Sequence, residues 1–218
     1  MKNIIFIAPP AAGKGTQSKL ISNEYNIPHI STGDLLRDEV DMGSNLGKFI
    51  ENEMNSGNLI SDDIIVNLLR KRISQVDCNN GYILDGYPRN LEQALVYENL
   101  LRDLGKEIGI VIFLDIDMEL ALKRMMGRVI CSACEASFNK SDASLCPKIE
   151  GICDKCGHLL VVRSDDKEET FKNRFNTYVN STQPLIEYYK NKGILKEVKI
   201  HDTDTVNDIF TKVKNLID

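Results

Sequence analysis

The residues best suited to chemistry come first in the chain. An apolar run, Ile4 to Ile7, leads into Ala8-Pro9-Pro10-Ala11-Ala12-Gly13-Lys14-Gly15-Thr16, and a helical period follows. Strand, small-residue loop, lysine, hydroxyl and helix start are the parts of a P-loop, in which backbone N–H groups and a helix N-terminus surround polyphosphate. Pro9 and Pro10 lack an N–H, so the cradle is expected from Ala11, Ala12, Gly13, Lys14, Gly15 and Thr16. Lys14 would reach the transferred phosphate, and Thr16 would approach magnesium directly or through water. The match to Gly-x-x-x-x-Gly-Lys-Ser/Thr is imperfect, because Ala8 replaces the first glycine and Gly15 separates lysine from hydroxyl. A tight strand-to-helix turn with a solvated lysine is the competing reading. Tyr82-Ile83-Leu84-Asp85 ends a second apolar run in a carboxylate, where a P-loop fold places its magnesium-organising acid; a turn cap is the plainer account.

Four of the six cysteines form a second constellation, Cys131-x-x-Cys134 and Cys153-x-x-Cys156. Two close pairs at this separation have zinc-ribbon spacing, and four thiolates complete a tetrahedral shell with no open position, so the zinc would be structural. Two disulfides or free buried thiols are the alternatives. Cys146 could compete as a ligand but has no close-paired partner, and His158 is a conceivable substitute expected to be exposed. Cys78 reads as an ordinary thiol, and His29 and His201 have no motif around them.

These groups need a scaffold. Over 218 residues, 42% are hydrophobic and 27% charged, ordinary values for a globular chain with a real core. The net charge of −5 argues against a dedicated nucleic-acid binder, and no apolar stretch approaches the length of a membrane span. The first residues carry too short an apolar run for a secretory core, which predicts a cytoplasmic protein. Apolar runs at Ile4–Ile7, Ile27–Ile30, Tyr82–Leu84, Ile108–Leu114 and Ile194–Ile200 alternate with helical periods. The helices fall at Lys14–Tyr25, Asp62–Ile73 with Ser61 as N-cap, Asn90–Leu104, Glu119–Met126 and Val206–Ile217. That alternation predicts an α/β fold with a five-stranded parallel sheet flanked by helices. Ser31–Ile60 and Gly127–Asp166 break it and read as insertions, while Lys167–Lys192 reads as a long helix interrupted near Pro184.

In their order and context the motifs resemble the adenylate kinases, nucleoside monophosphate kinases with a P-loop core. The matches are Gly13-Lys14-Gly15-Thr16-Gln17, Ile30-Ser31-Thr32-Gly33-Asp34-Leu35-Leu36-Arg37, Leu84-Asp85-Gly86-Tyr87-Pro88-Arg89, and Arg163-Ser164-Asp165-Asp166-Lys167-Glu168-Glu169-Thr170 with Arg174 beyond. They cover nearly the whole chain. The resemblance implies magnesium-dependent transfer of the terminal phosphoryl of ATP to AMP, giving two ADP. It divides the chain into a core (1–30, 61–126 and 167–218), an AMP-binding insertion (31–60) and a lid (127–166) carrying zinc, as some long-lid members do.

By the same resemblance Thr32, Arg37, Asn58, Leu59, Ile60, Gly86, Tyr87, Pro88, Arg89 and Gln93 would contact AMP, with Arg163 and Arg174 beside them. Ala11 to Thr16, Arg128, Ser137 and Phe138 would contact ATP, and Lys14, Arg89, Arg128, Arg163 and Arg174 would be catalytic. Asp85 and Thr16 would hold magnesium through water. The chemistry favours such a set, because two polyanions must be held in line and arginine forks bind phosphate oxygens while staying charged. Arg124, four residues before Arg128 and on the same helical face, could equally be a surface ion pair. Asp165 and Asp166 suit helix capping, or, by the resemblance, lid closure.

Two departures from the family stand out. Ala8 and Ala11 replace glycines, and Ala11 is expected to keep a negative φ, since the left-handed region costs alanine about 1–2 kcal/mol. Asp202 and Asp204 lie where the family contacts the donor base, which leaves ATP against GTP open. A monomer binding ATP and AMP, without nucleic acid or membrane, is the expected form. A GTP:AMP or UMP/CMP kinase, or a non-catalytic nucleotide-binding zinc-ribbon module, are the rivals.

Overall fold

The computed structural model describes residues 3–55, 60–134, 136–142, 144–162 and 166–218. In chain order they form β1 (Asn3–Ile7), α1 (Lys14–Tyr25), β2 (His29–Ser31), α2 (Thr32–Asp41), α3 (Asn45–Asn55), α4 (Asp62–Ile73), β3 (Ile83–Asp85), α5 (Leu91–Asp103) and β4 (Ile108–Ile116). There follow α6 (Met118–Gly127), β5 (Arg128–Cys131), β6 (Ser137–Asn139), β7 (Leu160–Val161), α7 (Glu168–Asn191), β8 (Leu195–Ile200) and α8 (Val206–Ile217).

Five strands make one sheet in the order β2-β3-β1-β4-β8, the parallel α/β arrangement that the alternating pattern predicts. Its central strands are apolar on both faces, and β1 is buried at every residue. The register pairs Phe6 with Asp85 and Ser31 with Asp85, so β1, β2 and β3 end level at their carboxyl ends, where open α/β sheets bind ligands.

The chain groups into two compact units. One comprises Met1–Ile7, Ser18–Phe113 and Ser181–Lys196; the other comprises Ala8–Gln17, Leu114–Asn180 and Glu197–Asp218. In the first, Tyr82 and Tyr97 are fully buried with their hydroxyls 2.6 Å apart, and Tyr87 meets Tyr97 edge to face at 5.9 Å. Burial pushes the Tyr82, Tyr97 and Tyr189 phenols well above their usual range. Helices α2 and α3 approach closely at Gly47, where a Cβ would collide with the Glu39 carbonyl.

In the second unit β5, β6 and β7 form a separate antiparallel sheet, ordered β6-β5-β7. Val129, Cys131, Phe138 and Cys153 are buried together there, with Ala136 and Leu160 against them. Gly127, the last residue of α6, leaves room for β6: a Cβ on it would overlap the Asn139 amide and stand 2.6 Å from Ser141 Oγ. Asn139 in turn donates to the Arg124 carbonyl at 2.8 Å and accepts from the Ser141 amide at 2.8 Å, fastening β6 to the end of α6.

Two expectations about the elements need correction. The second strand begins at His29, because the Ile27 amide still closes the end of α1 on Ser22 and the Pro28 carbonyl receives Ile83. Helix α7 is not interrupted at Pro184 but runs 24 residues through it. The lost N–H costs one helical bond, while Leu185, Ile186 and Tyr189 just beyond are buried, so packing outweighs the local defect.

Candidate active site

In the second unit the loop after β1 turns at Ala11 and Gly13, with φ of 63° and 86°. The negative φ expected for Ala11 is therefore wrong. The chain must curl back before α1, and in doing so the Ala12 amide donates to the Pro9 carbonyl at 3.4 Å, with Ala12 itself outside the left-handed region that Ala11 and Gly13 occupy. Ala12 is fully buried beneath the loop, and an added Cβ at Gly13 would meet nothing within 4 Å, so the space over the loop is open. Helix α1 starts at Lys14, and the amides of Lys14, Gly15 and Thr16 belong to its first turn, which has no intrahelical acceptors. Gln17, buried in the next turn, donates to the Val206 carbonyl at 3.0 Å and fixes the helix start against α8. The sequence had offered no reason to single out that contact.

Arg128, where α6 gives way to β5, pairs through both arms of its guanidinium with Asp166, with Nε 2.9 Å from Oδ2. The Asp166 side chain is 1% exposed, whereas that of Arg128 keeps 21% of its surface in solvent. Asp166 thus serves Arg128. Ser137 is exposed at the start of β6, and the Phe138 ring lies in the small core of the three-stranded sheet. Arg174 is exposed on α7. Arg163, with Ser164 and Asp165, lies outside the described residues.

Arg124 is not a surface ion pair. It lines a cavity of about 250 Å³ with Leu120, Lys123, Asp202, Asp204 and Thr205, and its Nη2 lies 3.4 Å from the Asp204 carbonyl oxygen. Burial lowers its pKa, against the raising fields of Asp142, Asp202 and Asp204. The Asp204 carboxylate turns to Lys212 at 2.8 Å and to the His201 amide, and Asp202 pairs with Lys123 at 3.1 Å. A planar guanidinium beside the Asp204 carbonyl suits a planar base.

The four cysteines converge. Cys131 and Cys156 sulfurs are 3.4 Å apart, Cys134 and Cys153 3.6 Å, Cys134 and Cys156 3.4 Å, and all four lie within 4.8 Å of one another. Zinc–sulfur bonds of about 2.3 Å in a tetrahedron require sulfurs about 3.8 Å apart, so the set fits zinc. The Cys134 and Ala133 amides hold the Cys131 thiol down at about 6, favouring a thiolate. The His158 amide favours ionisation of Cys156, but the surrounding thiols push it up to about 12. Several thiolates at this separation can coexist only around a cation. Cys146 and His158 are exposed and stand outside the group. Cys78 is buried beside Arg72, with Sγ 3.1 Å from Nη1.

The first unit assembles a different set. Thr32 is buried at the start of α2 and donates to the Gly86 carbonyl at 3.3 Å; Arg89 Nε donates to the same carbonyl at 2.8 Å. Gly86 has φ of 86°, and a Cβ there would stand 2.9 Å from Thr32 Oγ1, so glycine is needed for both conformation and space. Asn90 caps α5 and accepts the Gln93 amide at 2.8 Å. The Gln93 side chain accepts from the Arg89 amide at 2.8 Å and donates to Asp62 at 2.8 Å. Tyr87 and Pro88 are buried, Ile60 is 9% exposed, and Arg37 pairs with Asp34 on its own helix. Asn58 and Leu59 lie outside the described residues. Asp85, 9% exposed, is 3.2 Å from His29 Nε2, a partner that no motif around His29 had announced.

The family model described as adenylate kinase matches residues 6–194 of this chain. An adenylate kinase of Clostridium tetani (strain Massachusetts / E88) is 41% identical over 215 residues, 99% of this chain and 98% of that protein. An adenylate kinase of Caldicellulosiruptor saccharolyticus (strain ATCC 43494 / DSM 8903 / Tp8T 6331) is 48% identical over 192 residues, 88% of each. An adenylate kinase of Oceanobacillus iheyensis (strain DSM 14371 / CIP 107618 / JCM 11309 / KCTC 3954 / HTE831) is 42% identical over 216 residues, 99% of each.

Proposed function

The chain belongs to the adenylate kinase family, and on that premise we propose that it transfers the terminal phosphoryl group of ATP reversibly to AMP, giving two ADP. The observation that carries the reading is the left-handed turn at Ala11 and Gly13 leading into the first turn of α1, whose N–H groups are the natural donors to polyphosphate.

Catalysis here is positioning and charge stabilisation, with no side-chain nucleophile. The loop amides from Ala11 to Thr16 bind the donor's phosphates, and Lys14 follows the migrating group. The cavity at Arg124 takes the donor's base, with Ser137 and Phe138 on the lid side. Thr32, Arg37, the 58–60 backbone, Gly86 to Arg89 and Gln93 hold AMP, and Arg89, Arg128, Arg163 and Arg174 clamp the transferred phosphoryl. Magnesium bound with ATP would supply charge neutralisation at the phosphates. The Asp85 carboxylate and Thr16 hydroxyl are hard oxygen donors suited to holding it through water. Cys131, Cys134, Cys153 and Cys156 hold a structural zinc, which stiffens residues 127–166 so that they cover the donor and exclude water. Residues 31–60 form the acceptor insertion, and 1–30, 61–126 and 167–218 the core.

We read the protein as a cytoplasmic monomer. No helix among the described residues is long and apolar enough to cross a membrane. Purified protein with ATP and magnesium is expected to consume AMP at least about tenfold faster than UMP or CMP, and to use ATP in preference to GTP. Absence of turnover with every monophosphate overturns the enzyme reading in favour of a binding module.

A further inference from the structure

We propose that Asp62 and the main-chain N–H of Arg89 lock the Gln93 amide in one orientation, and that this lock decides which hydrogen-bonding edge the acceptor site takes from a nucleobase. The inference rests on Gln93 contacting the acceptor's base; Asp62 acts through Gln93 and is a positioning residue.

The two neighbours leave the amide no choice. An ionised carboxylate only accepts and a backbone N–H only donates. Gln93 Nε2 therefore faces Asp62 Oδ1 at 2.8 Å, and Oε1 faces the Arg89 amide at 2.8 Å. Rotating the amide by half a turn would set oxygen against carboxylate and N–H against N–H, losing both bonds and opposing like partners. The backbone at Gln93 is held as well, since its own amide donates to the Asn90 cap at 2.8 Å.

Each contact consumes one N–H and one lone pair, so the locked amide keeps one N–H and one lone pair in fixed places. Adenine meets this pattern, its N1 accepting and its N6 amino group donating. Hypoxanthine shows the reverse, with N1–H donating and O6 accepting, and would need the forbidden rotation. Cytosine, with N3 accepting and N4 donating, shows the adenine pattern on a smaller ring. The lock therefore sets donor–acceptor polarity alone, and ring size is discriminated elsewhere.

Asp62→Asn keeps the shape but presents either oxygen or NH2, so it removes the carboxylate's half of the lock and leaves only the Arg89 N–H opposing the rotated amide. With ATP and magnesium, kcat/KM for AMP, IMP and CMP is measured in the wild type, in Asp62→Asn and in Asp63→Asn. The last removes the same charge from the first turn of α4, at an exposed position. The expected result is that the AMP:IMP ratio falls by about tenfold or more in Asp62→Asn, while the AMP:CMP ratio stays within about twofold and Asp63→Asn moves neither. An unchanged AMP:IMP ratio overturns the lock. So do IMP and CMP improving together, a fall with all three substrates in parallel, or the same shift in Asp63→Asn. A wild type that turns over no AMP defeats the parent reading and the lock with it, whereas AMP turnover with an unchanged ratio in Asp62→Asn defeats the lock alone.

Discussion

The five-stranded sheet and the three-stranded sheet of the lid are held by different physics. In the first, Ile4, Ile5, Ile83, Leu84, Val111 and Ile112 are each at most 1% exposed, and burial on both faces supplies the driving force. In the second, four buried residues make the core and two of them are cysteines. Apolar side chains that a larger core would cover stay in water there, Ile149 and Leu159 at 65% exposure and Val162 at 60%. A segment of this size is near the lower limit for holding itself by apolar contact, and the thiol cluster takes over that task.

The largest effect that would sharpen this contrast is metal removal. Zinc supplies on the order of 10 kcal/mol to such a unit, so chelation or Cys131→Ser is expected to abolish hydrogen-exchange protection across 128–162. Amides of β1, β3 and β4 should stay protected, and metal analysis of the wild type should find about one zinc per chain. Loss of protection in the large sheet as well would break the contrast.

A mirror perturbation follows from the tyrosines. Tyr82, Tyr97 and Tyr189 have folded pKa values raised above the ordinary 10 by burial. Below about pH 10 both states are protonated and their stability contribution is complete. Above it the unfolded chain ionises first, so stability falls by up to about 1.4 kcal/mol per pH unit for each phenol. Urea midpoints measured from pH 8 to 11 should decline for the large sheet beyond pH 10, and Tyr97→Phe should soften the decline. The smallest effect lies at the loop that belongs to neither sheet. Ala11→Gly relieves a left-handed alanine and should gain about 1 kcal/mol, read as a higher urea midpoint with both sheets unchanged. An unchanged or lower midpoint would mean that the loop carries no such strain.

Strands and helices were legible because burial imposes a period on the residues: β1, α1 and α8 fall where the apolar spacing puts them. The cysteine cluster was legible because two short pairs leave few other geometries. Backbone conformation was less so. Alanine's preference for negative φ was a sound local argument at Ala11, overruled by the path from β1 into α1, and Pro184 was overruled by packing beyond it. Pairings between distant residues, Arg128 with Asp166, Asn139 with the Arg124 carbonyl and His29 with Asp85, leave no periodic mark. Gln93 was singled out by resemblance, but Asp62, 31 positions earlier, carried no signal before the fold placed it alongside.

The sulfur cluster also ties this chain to the metal nutrition of the cell that makes it. A polypeptide synthesised under zinc starvation would acquire its large sheet and lack a finished cover. Under oxidative stress, Cys131 and Cys156, already 3.4 Å apart, would be poised to couple with each other before any ion arrived. Phosphoryl exchange among adenine nucleotides would then respond to trace-metal supply and redox balance, two quantities that appear nowhere in its chemical equation.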